Sequence, residues 1–199
     1  MMHLAQYPKM IWSYGEGWDD LMEAHPTPSH LMWRYVVPMS LLPPAMFAYS
    51  AMLHPGAVLP ALVPAVSGLE VAANCAVFFL AQLLMVRIMA AVIHKTAEML
   101  EADADYHNAF TLAAVAPTPL WLASLALFVP SFGFMLTVGA IAWCLSAALV
   151  LHGVEPLFQL GNHSRSRLMA GFIVTEGVMA WIGLMVVMAM LMSIFMQWR

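Results

Sequence analysis

Three charged side chains lie within long apolar stretches of this sequence: Glu70, Arg87 and Glu176. A charge in a hydrocarbon environment is costly, so such residues usually pair with one another or line a path for protons or ions. These three residues are therefore the first candidates for a functional site.

Arg87 and Glu176 are predicted to lie at the same depth in a membrane. Arg87 precedes Lys95 by eight residues, and Glu176 follows Arg167 by nine. At a helical rise of about 1.5 Å per residue, both lie roughly 12 to 14 Å from one membrane edge. We predict an interhelical ion pair between them, because either charge alone would be buried without compensation. A structural pair is favoured over a proton or ion relay.

Glu70 is predicted to lie in the opposite leaflet from this pair. Seventeen residues separate it from Arg87, which corresponds to about 25 Å along a helix. Its carboxylate is expected to be solvated by headgroups or by His54. The alternative interpretation is a contact point for a partner or an entry site for a cation.

A histidine and a glutamate one turn apart form a second candidate cluster. His94 and Glu98 can place an imidazole and a carboxylate around one metal ion, with His152, Glu155 or His163 completing the site. The spacing matches no recognised ligand signature, and polar residues at a helix end are usually solvated. No metal site is therefore predicted.

The methionines are the other possible metal ligands. Four of the 19 methionines lie on one face of the last apolar stretch, namely Met185, Met188, Met192 and Met196. Thioethers bind Cu(I), but methionine is also an ordinary flexible core residue, which is the favoured interpretation. The sequence contains no catalytic Ser/His/Asp array and no glycine-rich phosphate loop, so neither an enzyme nor a cofactor is predicted.

Residues 103–130 read DADYHNAFTLAAVAPTPLWLASLALFVP and are expected to form the central helix of a bundle. Pro117 and Pro119 lack a backbone donor, so the helix must bend or open near them. In a bilayer, the freed carbonyls need a neighbouring helix, a hydroxyl such as that of Thr118, or a trapped water. The break lies near the depth predicted for the ion pair, so its favoured role is structural.

Composition defines the class of protein. The chain of 199 residues is 63% hydrophobic and 9% charged, well outside the usual range of soluble domains. Five apolar segments each approach or exceed the roughly 20 residues that a membrane span needs. They cover about residues 33–53, 68–95, 107–130, 133–153 and 168–196. We predict an all-α polytopic membrane protein, a bundle of five transmembrane helices.

The N-terminal region is predicted to be distinct from this bundle. Residues 7–24 carry aromatic side chains on one side and charges on the other, a pattern typical of an amphipathic helix in the membrane interface. A loosely ordered tail with anchoring aromatics is the alternative. We therefore divide the chain into a cytoplasmic or interfacial segment, 1–32, and a transmembrane domain, 33–199.

The positive charges predict the orientation. Six of the seven Lys and Arg residues precede span one or lie near the connections after spans two and four, and only Arg199 lies on the other side. By the positive-inside rule, that face is cytoplasmic. The N-terminus is predicted to be cytoplasmic and the C-terminus to lie on the opposite side of the membrane. The net charge of −4, without a basic patch, excludes a nucleic-acid partner.

Two segments suggest a family: PSHLMWRYVVPMSLLPP, at residues 28–44, and YHNAFTLAAVAPTPLWLASLALFVP, at 106–130. With the five-span layout, they resemble the Yip domain family, in particular its bacterial YohC-like branch. The resemblance implies a multi-pass protein of the bacterial inner membrane. Eukaryotic members bind Rab-type GTPases and one another, and their Rab-binding N-terminal region is long and acidic. Only about 30 residues precede span one here, so Rab binding is not expected.

Two functions are compatible with these features. The first is a non-enzymatic interaction or scaffolding partner, or an accessory subunit of a membrane complex, which also organises the membrane. Its partners would be membrane lipids and other integral membrane proteins or further copies of itself. The alternative is a small transporter or channel for an ion, metal or lipid through the proline-broken third span.

Overall fold

The computed structural model describes Met10 and residues 17–23, 26–54 and 67–197. This part of the chain is helical, with short connections between the helices. The helices are α1 (Trp18–Glu23), α2 (Pro28–Leu53), α3 (Gly68–Met99), α4 (Tyr106–Phe128), α5 (Phe132–Phe158) and α6 (His163–Gln197).

Five of these helices, α2 to α6, are long and apolar enough to cross a membrane. The predicted all-α fold with five transmembrane helices is therefore confirmed. The first span begins at Pro28, five residues earlier than expected, because Thr27 caps it and a proline at the first helical position needs no backbone donor. The last span likewise begins earlier than expected, at His163.

The proline-broken helix α4 is the most enclosed of the five. In its most apolar window 56% of the residues are buried, against values between 11% and 28% in the other spans. Every residue from Ala109 to Val115 is buried. Small alanine side chains let neighbouring helices approach closely, which explains the central position of this segment.

Helix α2 is also irregular, as its prolines predict. It comprises α-helical Pro28–Leu31, a π-helical turn at Met32–Val36, and the α-helical segments Val37–Ser40 and Leu42–Leu53. Prolines 38, 43 and 44 each remove a backbone donor, so the hydrogen-bond pattern must shift around them. The wider π turn changes the direction of the side chains at the start of this span.

The short helix α1 packs on the protein. Trp18 is fully buried, and its indole Nε1 donates to the Met10 carbonyl over 3.2 Å. The indole ring lies against Gly153 of α5, where the absence of a side chain leaves the space it occupies. Within the predicted helix over residues 7–24, Trp18–Glu23 is helical, and its apolar side faces the bundle rather than the membrane interface. Much of the remaining stretch lies outside the described residues.

The contact between Trp18 and Gly153 gives a testable prediction. A Cβ at Gly153 would lie 2.6 Å from two ring carbons of Trp18 and 3.1 Å from Leu112. Because the buried indole has no room to move, Gly153→Ala should destabilise the protein by about 1–3 kcal/mol. The free energy of unfolding in detergent measures this loss.

The matched control is Gly139→Ala in the same helix, where an added Cβ meets nothing within 4 Å. This change should be neutral or stabilising by up to about 1 kcal/mol, through helix propensity alone. Equal effects of the two substitutions would contradict the proposed docking of α1.

Candidate functional site at the proline break

The break in α4 lies where the sequence predicts it. The first α-helical segment ends at Val115, and the next begins at Thr118. The Ala116 N–H still donates to Leu112 over 2.9 Å, and Pro117 accepts from Trp121 over 3.0 Å. The interruption is therefore confined to about one turn, and both Thr118 and Pro119 are buried.

A tyrosine from α2 reaches this break. The Tyr35 Oη atom lies 2.6 Å from the Thr118 Oγ1 atom, a hydrogen bond between side chains 83 residues apart. The sequence suggested the Thr118 hydroxyl as a partner for the freed carbonyls at the break, but it did not indicate this contact with Tyr35. The π turn at Met32–Val36 contains Tyr35, and no sequence signal indicated that turn or the partner of its side chain.

Glu176 faces α3 from α6. Its Oε1 atom accepts a hydrogen bond from Thr96 over 3.5 Å, and its buried Oε2 atom has no hydrogen-bond partner in the described part of the chain. This contact places Glu176 at the level of Thr96, three residues from the end of α3. Arg87 lies nine residues nearer the start of the same helix, about 13 Å from Thr96 along the axis.

The predicted ion pair between Arg87 and Glu176 is not formed. No ion pair within 4.0 Å joins them among the described residues, and Arg87 is exposed. At about 100° per residue, Arg87 and Thr96 lie half a turn apart on α3. Because Thr96 faces Glu176, Arg87 must point to the other side. The prediction of equal depth assumed that Lys95 of α3 and Arg167 of α6 lie at the same level. In the structure α6 begins before Arg167, at His163, and Glu176 lies at the level of Thr96.

Glu70 has a structural role at the start of α3. Its carboxylate accepts from the Ser67 N–H over 2.7 Å, and its own N–H donates to the Ser67 Oγ over 3.3 Å. This is a capping box, which satisfies two backbone donors at the helix start. The Ser-x-x-Glu spacing of residues 67–70 is its sequence signature, so the sequence contained a signal that the interpretation as a solvated carboxylate missed.

Ion pairs join the polar residues at the other end of α3 and at the connection between α5 and α6. Glu98 lies 3.5 Å from His94 and 2.7 Å from Lys95, while His163 lies 3.0 Å from Glu155. Among the described residues, no three His, Cys, Asp or Glu side chains come close enough to hold a metal ion. The structure therefore does not bring His94 and Glu98 together with the three residues named to complete a site.

The methionine face of α6 is only partly described. Met185 is exposed and Met188 is partly buried, while the side chains of Met192 and Met196 lie outside the described part. Met185 lines the cavity described next.

An apolar cavity of about 300 Å³ lies beside the proline break. The break contributes Ala113, Ala116 and Pro117, and the surrounding helices α2, α3, α5 and α6 complete the wall. No Asp, Glu, Lys, Arg or His lines it among the residues that the structure describes. The sequence predicted the break, but the cavity depends on how four other helices are arranged around it.

These features define the class of protein. Four apolar helices lie around a fifth, proline-broken helix with an apolar cavity beside it, and the chain is therefore a multi-pass membrane protein. A family model for the Yip1 domain matches residues 9–184. The chain belongs to the Yip1 domain family, a family of non-catalytic membrane proteins. No curated protein and no solved structure matches the chain.

The hydrogen bond between Tyr35 and Thr118 can be tested by a double-mutant cycle. Tyr35→Phe and Thr118→Val each remove one hydroxyl with little change in shape, and each should cost about 0.5–1.5 kcal/mol of unfolding free energy in detergent. The double variant should lose less than the sum, because the two changes remove the same bond.

Thr137→Val on α5 is the control, because its hydroxyl donates within its own helix to Gly133 and is exposed. Thr137→Val should lower the free energy of unfolding only slightly. Strictly additive losses for Tyr35→Phe and Thr118→Val would show that the two hydroxyls do not stabilise one another.

Proposed function

We propose that the protein is a non-enzymatic interaction partner in the bacterial inner membrane, acting as a scaffold or accessory subunit of a membrane complex. Membership of a non-catalytic membrane protein family supports the general class. The specific observation that carries the proposal is Arg87, an exposed arginine in a membrane-spanning helix.

Arg87 lies in apolar surroundings on α3. The exposed apolar residues near it include Leu80, Leu84 and Ile88. Leu80 and Leu84 share its side of the helix at i−7 and i−3, and Ile88 borders that side. It is eight residues from Lys95, or about 12 Å along the helix. A charged side chain near the centre of a spanning helix costs about 2.5–3.5 kcal/mol unless something compensates it.

The acidic groups of α3 and the half-buried Glu176 of α6 do not supply this compensation. Glu176 contacts Thr96 on the opposite side of α3, Glu98 pairs with Lys95, and Glu70 caps the start of the helix. We therefore infer that a carboxylate on a helix of another membrane protein lies against Arg87. The contact surface is the side of α3 that contains Leu80, Leu84 and Arg87, with Ile88 at its edge.

Transport of an ion or a metal through the broken third span has less support. The cavity at the break contains no charged or histidine side chain among the described residues. An ion passing there would exchange its hydration shell for apolar walls, at a high cost. Transport of a lipid, the remaining form of this alternative, is compatible with an apolar cavity.

Site-directed photo-crosslinking tests the proposed contact. A photoreactive residue at Ile88 should give one discrete protein adduct in intact membranes. Arg87→Leu should reduce its yield at least fivefold, because it removes the ionic partner, and Arg87→Lys should retain most of it. The adduct is measured on denaturing gels and identified by mass spectrometry.

A photoreactive residue at Leu151, on the exposed side of α5, is the control and should not give this adduct. An adduct at twice the mass of the chain would identify a second copy as the partner. Lipid adducts alone at Ile88, unchanged in Arg87→Leu, would contradict a protein partner.

The proposal includes the orientation derived from the positive charges. Arg165 in α6 lies 3.8 Å from Glu101 after α3, so these two connections share one end of the bundle, as the positive-inside rule requires. We expect an alkaline phosphatase fused after Arg199 to be active in the periplasm. The same reporter at Asn162, between α5 and α6, should be inactive, and the reverse pattern would contradict the orientation.

A further inference from the structure

The apolar cavity beside the proline break contains a polar group without a partner. Ser146 of α5 lines the cavity and is only 6% exposed. Its Oγ atom has no hydrogen-bond partner in the described part of the chain. A buried hydroxyl left unpaired in an apolar environment costs about 1–3 kcal/mol, so a ligand that accepts its hydrogen bond would gain affinity.

Three indole rings lie around the same space. Trp121, Trp143 and Trp181 line the cavity, and the last two form an edge-to-face pair with ring centroids 5.5 Å apart. Aromatic walls of this kind favour a flat ring. Since no charged side chain lines the cavity in the described residues, the ligand should be neutral.

The depth of Ser146 restricts the ligand further. It lies 14 residues from the start and 12 from the end of α5, or about 21 and 18 Å from the two ends. This position is near the bilayer centre, whereas the ester oxygens of a phospholipid lie near the surface of a hydrocarbon core about 30 Å thick. An acyl chain would therefore leave the Ser146 hydroxyl unpaired. A neutral molecule that dissolves in the bilayer interior and has carbonyl oxygens could accept a hydrogen bond from this hydroxyl.

We propose that this cavity binds the ring of a membrane-dissolved quinone, with Ser146 donating a hydrogen bond to a ring carbonyl. The volume of about 300 Å³ is at the lower end of ligand-binding pockets. It accommodates the ring, while the apolar tail remains in the lipid. Arg87 does not line the cavity, so this site is independent of the proposed protein contact.

Quenching of tryptophan fluorescence tests the site. Purified protein in detergent is titrated with a decyl-substituted benzoquinone, which should quench saturably through the three indoles at the cavity. Decylbenzene, which has the same tail but no carbonyl, should compete at least tenfold more weakly. Equal competition by decylbenzene would overturn the proposal, because it would show binding by apolar contact alone.

Ser146→Ala removes the donor and keeps the cavity, and should weaken quinone binding about five- to tenfold, the effect of one hydrogen bond. Cys144→Ala, at an exposed position of the same helix, and Arg87→Leu should leave binding unchanged. Unchanged binding by a folded Ser146→Ala variant would show that the hydroxyl bonds to its own helix, and the proposal would fail. Non-saturable quenching of the wild-type protein would overturn it without any variant.

Discussion

Inside a bilayer, every backbone N–H and C=O group needs a partner within the protein, and this constraint governs α4. Pro117 and Pro119 prevent a continuous helix at the point where the chain is most enclosed. The interruption is held to about one turn, and the hydroxyls of Tyr35 and Thr118 meet beside it. Tyr35 comes from α2, a helix that prolines also interrupt. The two irregular spans are thus linked at their irregular segments.

The same break lies beside an apolar cavity. Ala113, Ala116 and Pro117 have small side chains, and a cavity of about 300 Å³ lies between them and the neighbouring helices. The cavity is lined by apolar and tryptophan side chains and by three neutral polar residues, Gln82, Ser124 and Ser146. It therefore suits a neutral molecule from the surrounding lipid better than a hydrated ion.

The two membrane-embedded charges have different surroundings. Glu176 lies between α6 and α3 and accepts from Thr96, whereas Arg87 lies on the exposed side of α3 among leucines and an isoleucine. Removing either charge therefore should not change the contacts of the other. An acidic neighbour would stabilise an exposed arginine at this depth, and the described part of the chain does not offer one, which is why we propose the interaction surface there. The proposed contact side of the bundle is separate from its inner cavity.

The sequence alone determined the five spans, the all-helical class and the position of the break, because length, hydropathy and proline act locally along the chain. It also contained the capping box of Ser67 and Glu70, which is equally local. Only the tertiary structure decided that Trp18 packs against Gly153, that Tyr35 meets Thr118, and that Arg87 faces away from Glu176. These relations depend on the rotation and relative height of each helix. Hydropathy cannot set either, because lipid tails are as apolar as the side chains of a neighbouring helix.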